Sequence, residues 1–510
     1  MKISYIRRLE AVIISILLLT LPLTGLIASA TEANEKYPMI SVPGIMHADI
    51  HADANNPDSE VVWPPSTDSI LDLVEDCIPA LTEFSVTGDW NALGDKISPL
   101  AYSFFESSLS DPDGKITNGS GVCFEYPDKE SLDINPDSVF KYDWRADPID
   151  TAANLDSYIN YILENTGAEK VALSCHSLGG IIVLSYLSLY GYDKIDAIAF
   201  NTTAIYGASY VGNLLSGDIE ISNESLFAFL DFVTEGTANK DLLNRIFDML
   251  ECAGLGKLVE NLGTTILAEL SDKLLPEVVI PLFGKWLTIW ALVPDEKIDE
   301  AMKYTFENFI PEDAEGRDEL RANIENYNTL VRKNKSETLR LADEHCKIGV
   351  ISRYGFSSIP ATSQWQFISD GVLDSSSTSF GATFALYGAT LSEDVINSTS
   401  PEYISPDKTV DASTCLFSDK TWFIRNGKHN NGYQDLTTLI NTILYDSEEL
   451  TVDTYEEFPR FMVYDFESDS LIPDSGKETS GKPGFLAFVE KIKAFIADFF
   501  KKFRILFGIE

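Results

Sequence analysis

The sequence has few basic residues, few histidines and few cysteines, and each scarcity narrows the possible functions. Only 38 lysines and arginines stand against 79 aspartates and glutamates, so the net charge is −41. So acidic a chain repels phosphate backbones, which argues against nucleic acid as a partner. The six cysteines include no C-x-x-C pair, which excludes the usual zinc motifs. With five histidines, the candidates for a catalytic base are also few.

The first 30 residues match the pattern of a secretory signal peptide. Basic residues precede an apolar run over 11–23, and the sequence ASA at 28–30 supplies a cleavage site. An uncleaved N-terminal anchor is the alternative. Either interpretation predicts a secreted or extracytoplasmic protein.

Cysteines outside the cytoplasm commonly form disulfides. Spacing alone does not determine which cysteines pair. As a hypothesis, we predict the pairs Cys77–Cys123 and Cys346–Cys415.

Strands and helices alternate in two stretches of the chain, 31–205 and 346–470. Short apolar runs such as KVALS and KIDAIAFN predict strands, and LGGIIVLSYLSLYG predicts a helix that ends at a glycine. This alternation indicates an α/β fold with a mostly parallel sheet. The intervening residues 206–345 have mainly helical patterns, which predicts a helical cap or lid inserted between two halves of one sheet.

Ser177 is the candidate nucleophile. It lies in LSCHSLGGI, where a predicted strand meets a predicted helix. A nucleophile elbow holds serine at such a turn and needs small residues two positions to either side, because the two backbones nearly touch there. Gly179 meets this requirement, and Cys175, which stands where glycine is usual, has a small side chain. The alternative is an ordinary serine at a helix N-terminus.

A serine nucleophile needs a base, and elimination among the histidines leaves one. In α/β proteins whose serine lies at a nucleophile elbow, the acid and then the base follow the serine in the sequence. His47 and His51 precede Ser177, His345 ends the insertion, and His176 adjoins the serine and is expected to point to the other side of the turn. His429 follows the predicted strand KIGVISRYG and lies in a turn-rich loop, as a base should.

The base in turn needs a carboxylate that orients it. The loop ISDGVLD offers two aspartates between the strand and His429. We prefer Asp370, because an Asp-Gly turn after a short apolar run places it at a strand end, and Asp374 is the fallback. An ordinary Asp-Gly turn is the alternative for this residue.

Two backbone N–H groups must also bind the oxyanion of the reaction. The N–H of Leu178, which follows the serine, is one candidate. The N–H of Ile45, which follows a predicted tight turn at Gly44, is the other. The sequence HADIHAD at 47–53 could in principle bind a metal, but its spacing fits no catalytic metal motif, so we predict a solvated loop without metal.

These segments together resemble α/β-hydrolases of the lecithin:cholesterol acyltransferase and phospholipase type. The resemblance lies in SVPGIM, VVWPP, FKYDWR, SCHSLGG, SDGVLD and His429, over about residues 38–205 and 346–432. It implies an α/β-hydrolase fold with a doubly wound sheet, ester chemistry without metal or cofactor, and lipid-like acyl substrates. It also implies that Asp143, Trp144 and Arg145 are structural. Cys175 and the insertion depart from the family's pattern.

The insertion contains a strongly apolar stretch that prolines interrupt. Because ligands sit at the carboxyl ends of parallel strands, we expect this stretch to line or cover an acyl pocket. The predicted substrate-binding residues are Phe283, Trp286, Leu287 and Trp290.

The chain ends in a polar linker, 471–484, and an amphipathic segment, 485–510. The apolar residues of that segment share one helical face, and five basic residues stand against three acidic ones. A basic amphipathic helix on an acidic body indicates a membrane-surface anchor. The alternative is a helix that docks on the body and completes its core.

These patterns predict a secreted serine esterase or lipase that acts on lipid or phospholipid esters through an acyl-enzyme. An acyltransferase would use the same residues, so the sequence does not separate the two. A non-catalytic surface-binding protein that has kept the fold is the alternative from another class.

Overall fold

The computed structural model describes residues 37–218, 220, 225, 228, 275–360, 362–446, 450–466 and 468–477. The predicted signal at 1–30 and the predicted C-terminal helix at 485–510 lie outside the described residues. So do most of the predicted linker and much of the predicted cap between 219 and 274.

The described residues form fifteen strands. In chain order these are β1 Met39–Val42, β2 Ile50–His51, β3 Val61–Trp63, β4 Gly121–Val122, β5 Ser138–Val139, β6 Val171–Ser177, β7 Ile195–Thr203, β8 Lys347–Tyr354, β9 Phe356–Ser357, β10 Ile368–Ser369, β11 Thr383–Phe384, β12 Val410–Asp411, β13 Thr421–Arg425, β14 Phe461–Asp465 and β15 Ser470–Pro473.

The α-helices of the same residues lie between these strands. They are α1 Thr67–Thr87, α2 Trp90–Phe105, α3 Lys129–Ile134, α4 Pro148–Thr166, α5 Gly179–Tyr190, α6 Ser209–Leu215, α7 Ile280–Phe283, α8 Leu287–Ala291, α9 Ile298–Asn308, α10 Arg317–Leu330, α11 Lys335–His345, α12 Ser375–Thr378, α13 Glu393–Ser398 and α14 Gln434–Tyr445.

The main sheet has eight strands in the order β15-β14-β13-β8-β7-β6-β1-β5. Its neighbouring strands are parallel, except that β15 runs antiparallel to β14. The predicted α/β fold with a mostly parallel sheet is therefore confirmed. Strands from before and after residues 206–345 lie side by side, with β7 paired to β8.

Both faces of this sheet are covered, because successive side chains of a strand point to opposite sides. On one face Leu173 and Cys175 of β6 belong to a large core that includes α4 and α5. On the other face Ala172 belongs to a second core built on α14. Ala197 and Ala199 of β7 share that second face, and their small side chains leave room for the helix.

The apolar spacing of residues 66–107 predicts helix, and the structure has two helices there, because Gly88 ends α1 with φ +64° and Asp89 caps α2. Two other predictions differ from the structure. The sequence SVFKYDWR has the pattern of a strand from Val139 onward, whereas the strand observed there is limited to the two residues of β5. The predicted linker, 471–484, begins too early, since residues 471–473 belong to β15 and Asp474 pairs with Arg425 at 2.6 Å.

The segment HADIHAD is also not the solvated loop that its polarity predicts. Ile50 and His51 form β2, which pairs antiparallel with β3 and β4. Ile50 is buried there, so one apolar residue directs the segment into the sheet.

The predicted disulfides are wrong. Cys77, Cys123, Cys346 and Cys415 are all free. Cys346 and Cys415 are instead buried with their thiols against backbone carbonyls, those of Ile195 and Ala412 respectively. Separately, no helix in the described part of the chain is both long and apolar enough to span a membrane.

Candidate active site

Ser177 lies at the turn between β6 and α5 with φ +55°, a left-handed conformation that non-glycine residues seldom adopt. The turn is held by packing against the first strand. A Cβ atom added to Gly179 would lie 1.9 Å from the carbonyl oxygen of Val42, so only glycine fits at that position. Gly180 is crowded as well, because a Cβ there would lie 2.4 Å from Cβ of Thr203. These contacts are the close approach that a nucleophile elbow requires.

Cys175 occupies the position where glycine is usual in an elbow. It is fully buried between neighbouring strands, and its thiol lies 3.5 Å from the carbonyl oxygen of Ala199. Burial raises the pKa of this thiol far above its ordinary value. The side chain therefore remains a neutral packing group.

Asp370 and His429 form a buried pair. Oδ2 of Asp370 accepts a hydrogen bond from Nδ1 of His429 at 2.6 Å, and neither side chain is exposed. The other carboxylate oxygen accepts the N–H groups of Val372 and Leu373 at 3.0 and 2.7 Å. Because the carboxylate accepts from Nδ1–H, the proton-free nitrogen of the neutral ring is Nε2.

Nε2 of His429 is buried and has no hydrogen-bond partner among the described residues. The expected hydrogen bond from Ser177 is thus not formed in this state. Catalytic hydrogen bonds are often long before substrate binds. A buried ring nitrogen without a hydrogen-bond partner is uncommon in folded proteins.

The loop that carries His429 is tied to two other strands. Arg353 of β8, itself buried, donates through Nη1 to the carbonyls of Lys428, His429 and Asn431. Its Nη2 donates to Oδ1 of Asn201 at 3.0 Å. The guanidinium therefore fixes the main chain on both sides of His429.

His176 also holds this loop, and the prediction that it points away from the site is wrong. Its Nε2 lies 3.0 Å from the carbonyl oxygen of His429, and the two rings are 4.7 Å apart. Burial, with His429 and Arg353 nearby, holds the pKa of His176 well below its ordinary value. The neutral ring donates from Nε2–H, because a carbonyl oxygen can only accept. As His176 directly precedes Ser177, this contact brings the His429 loop to the elbow.

Asp374, the fallback acid, faces elsewhere. Its carboxylate accepts the N–H of Ser209 at 2.9 Å and the hydroxyl of Ser358 at 2.9 Å. Burial raises its pKa above the ordinary range for aspartate. Asp374 thus joins the start of α6 to the loop after β9, and Asp370 is the aspartate that contacts the histidine.

The loop after β1 lies directly against the elbow. A Cβ atom added to Gly44 would lie 2.6 Å from Cβ of Ser177 and 3.1 Å from its Oγ. Ile45 is the next residue of this loop, and Leu178 immediately precedes α5. The two predicted oxyanion donors therefore belong to segments that flank Ser177.

The predicted substrate-binding residues are packed in the interior. Trp286 donates to the carbonyl of Ser108 at 3.2 Å and lies edge-on to Trp144. Trp290 donates to the carbonyl of Gly284 at 2.8 Å. Phe283 and Leu287 are buried in the same core. The contacts of Trp286 fasten the insertion to the body, and a role of these residues in an acyl pocket stays a prediction.

Asp143, Trp144 and Arg145 have the structural contacts that the resemblance implies. Arg145 is fully buried and forms a forked pair with Asp143 at 3.0 and 2.7 Å. Trp144 donates to the carbonyl of Ala48 at 3.1 Å. Trp144 thus joins the segment after β5 to the loop after β1, and Arg145 joins it to the carbonyls of Ser108 and Ser120.

No group of three potential metal-binding side chains converges among the described residues. In the segment HADIHAD, His47 contacts the carbonyl of Gly44 and His51 lies 3.3 Å from that of Ser59.

Sequence reasoning missed the contacts that Arg353, His176 and His47 make. It also missed Tyr142, whose hydroxyl donates to the carbonyl of Pro43 at 2.6 Å. Two of these residues adjoin recognised motifs: His176 precedes the serine, and Tyr142 lies within FKYDWR. Most of their contacts are made to backbone carbonyls, which carry no residue-specific signal. Only the folded chain shows which carbonyl each side chain meets.

Comparison with known proteins adds little to this geometry. No protein-family model matches the chain, and no curated protein matches it. Among solved structures, a chain of the crystal structure of the Tle4–Tli4 complex is 12% identical, and the similarity covers 63% of this chain and 75% of that chain with a TM-score of 0.26. A similarity at this score carries no argument. The case for a function therefore comes from the residues and geometry of this chain.

Proposed function

We propose that this chain is a secreted or extracytoplasmic serine hydrolase of the α/β-hydrolase class that cleaves carboxylic esters of lipids or phospholipids. The observation that carries the proposal is the buried Asp370–His429 pair and its position beside Ser177. The carbonyl of His429 is bound by His176, which precedes Ser177, and Ser177 has a left-handed backbone conformation. Ser177 ends β6 and His429 follows β13, two parallel strands of the main sheet, and ligands bind at the carboxyl ends of strands in such sheets. The proposed chemistry needs no metal or cofactor.

In the first half of the proposed reaction, Oγ of Ser177 attacks the acyl carbonyl while Nε2 of His429 takes its proton. Asp370 keeps the imidazole in the required tautomer and stabilises the imidazolium. The N–H groups of Leu178 and Ile45 bind the oxyanion. The bond to the alcohol then breaks, and His429 returns the proton to the leaving oxygen.

In the second half, water attacks the acyl-enzyme and loses a proton to His429. The bond between the acyl carbon and Oγ breaks, the acid leaves, and Oγ of Ser177 recovers its proton. Preorganised groups need little rearrangement in the transition state, which favours this use of the buried Asp370–His429 pair. The lipid character of the substrate rests on the sequence resemblance alone.

A fluorophosphonate probe on the purified protein tests this proposal. The wild type should be labelled, whereas Ser177→Ala should not be labelled and His429→Ala should be labelled at least about 1,000-fold more slowly. Ser174→Ala, which changes another serine of β6, is the matched control and should react like the wild type. Labelling that persists in Ser177→Ala would assign the reaction to another residue.

A further inference from the structure

The loop after β1 is held in place by two side chains that the proposed reaction does not use. Nδ1 of His47 lies 2.7 Å from the carbonyl oxygen of Gly44. The hydroxyl of Tyr142 donates to the carbonyl of the preceding residue, Pro43, at 2.6 Å. Two consecutive carbonyls of the loop therefore have dedicated donors.

The hydrogen bonds around His47 determine its tautomer. The carbonyl of Gly44 can only accept, so Nδ1 carries the proton. Nε2 is then free to accept the backbone N–H of Tyr142, at 3.3 Å. The two rings also lie against each other, 4.6 Å apart. His47 and Tyr142 thus act as one unit that requires an uncharged imidazole.

The electrostatic surroundings of His47 favour this uncharged form. Burial lowers the pKa of His47 to about 4. The carbonyl of Gly44 and the carboxylate of Asp143 oppose the shift, and Lys141 adds to it. The ring is consequently neutral at the pH of most extracytoplasmic fluids.

The geometry of a trans peptide connects this unit to the site. In such a peptide the C=O and the following N–H point to opposite sides. The peptide between Gly44 and Ile45 is trans, so the donor that holds the carbonyl of Gly44 also sets the direction of the N–H of Ile45. Met46 has φ +60°, so the loop does not adopt this shape by intrinsic preference alone.

We propose that His47, supported by Tyr142, is the positioning residue of the oxyanion loop, whose hydrogen bond to Gly44 aims the N–H of Ile45 at the substrate oxygen. This inference rests on the proposed serine-hydrolase function. It gives His47 of HADIHAD a role that is neither metal binding nor part of the Asp370–His429 pair.

Steady-state kinetics on a short soluble ester test the proposal with four variants. His47→Ala should lower kcat about 100-fold, the effect of losing one oxyanion donor, with KM unchanged within about 3-fold. His47→Asn should restore kcat to within about 5-fold of wild type, because its amide nitrogen can stand where Nδ1 donated. Tyr142→Phe, which deletes the hydroxyl and keeps the ring, should lower kcat about 10-fold. His51→Asn is the matched control in the same segment and should have wild-type kinetics.

The possible outcomes distinguish the role of His47 from the proposed serine-hydrolase function. If the wild type is not labelled by the fluorophosphonate, both the function and the role of His47 are wrong. If wild type is labelled and His47→Ala keeps its kcat, or if His47→Asn is as impaired as His47→Ala, only the role of His47 is wrong. Thermal unfolding accompanies each assay. Should His47→Ala not fold, His47→Asn and Tyr142→Phe decide, and a loss in KM rather than kcat in Tyr142→Phe would overturn the proposal.

Discussion

Asp370 and Asp374 are buried carboxyls of one loop, four residues apart, and they differ in the groups that face them. The carboxylate of Asp370 accepts hydrogen bonds from two backbone N–H groups and from Nδ1 of His429. Asp374 accepts from Ser209 and Ser358, and burial raises its pKa. The first environment orients the ring of His429, and the second joins two segments of the fold.

We therefore expect different consequences from the same substitution. Asp370→Asn should lower kcat about 1,000- to 10,000-fold, because an amide can present N–H to His429 and favour the wrong tautomer. Asp374→Asn should keep kcat within about 10-fold and lower the unfolding free energy by about 1–3 kcal/mol. Ester hydrolysis and urea unfolding measure the two effects. A larger loss of kcat in Asp374→Asn than in Asp370→Asn would show that Asp374, rather than Asp370, orients His429.

Cys175 differs from the usual glycine of an elbow by one buried side chain. Cys175→Ala removes only the thiol, so kcat should stay within about 3-fold of wild type while the unfolding free energy falls by about 1 kcal/mol. Cys175→Gly should keep activity within about 10-fold and lose more stability, because glycine also weakens a strand interior. An inactive but folded Cys175→Ala protein would give the thiol a chemical role.

The lowered pKa of His47 predicts a pH dependence of stability. The unfolded side chain takes up a proton near its ordinary pKa of 6.5, whereas the folded one does so at about 4. Between these values the unfolded state binds more protons, so the stabilising contribution is complete above pH 6.5 and declines as the pH falls toward 4. His176 contributes in the same direction.

Urea unfolding of wild type and His47→Asn at pH 7 and pH 4.5 isolates this contribution, since His176 and the carboxylates are common to both proteins. Wild type should lose up to about 2 kcal/mol more than the variant over this interval. Equal losses would show that His47 titrates normally in the folded protein.

At the scale of elements, the elbow depends on how closely α5 crosses the end of β1. Gly179 is the point of contact with Val42, and no side chain fits between them. The same crossing brings the loop at Gly44 against Ser177. The position of the predicted oxyanion loop is thus a consequence of helix–strand packing.

Gly179→Ala should separate the two elements. We expect a loss of kcat of at least about 100-fold, because a displacement of the order of 1 Å is enough to misplace catalytic groups, and a lower melting temperature. Gly88→Asn is the control: it changes a glycine that ends α1 in open space with φ +64°, a conformation that asparagine tolerates. Wild-type activity in Gly179→Ala would contradict the crowding seen at the crossing.

At the scale of the whole molecule, the C-terminal segment 485–510, here called the tail, differs in charge from the rest of the chain, the body. The chain carries −41, yet residues 485–510 have five basic and three acidic residues. The proposed membrane-surface role of this tail follows from its basic amphipathic pattern. The pattern is the same for a helix that docks on the body.

Deletion of 485–510 distinguishes the two. The shortened protein should bind anionic vesicles at least about 10-fold more weakly while it hydrolyses a short soluble ester at the wild-type rate. Zwitterionic vesicles serve as the control for the electrostatic part of binding. A shortened protein that unfolds, or that binds anionic vesicles as before, would favour the docked helix.

Local patterns in the sequence were enough to predict the parallel sheet, the tight turn at Ser177, and the contact of His429 with an aspartate of the 370–374 loop. Hydrophobic periodicity and turn residues act between near neighbours in the chain, so they can be recognised without the fold. The tertiary structure decided the rest: Asp370 rather than Asp374 against His429, free cysteines rather than disulfides, His176 turned toward the site, and His47 on Gly44. Each depends on a contact between segments distant in sequence or on a loop whose shape its neighbours impose. Such contacts, many of them to backbone carbonyls that every residue possesses, are determined only when the packed sheet brings those segments together.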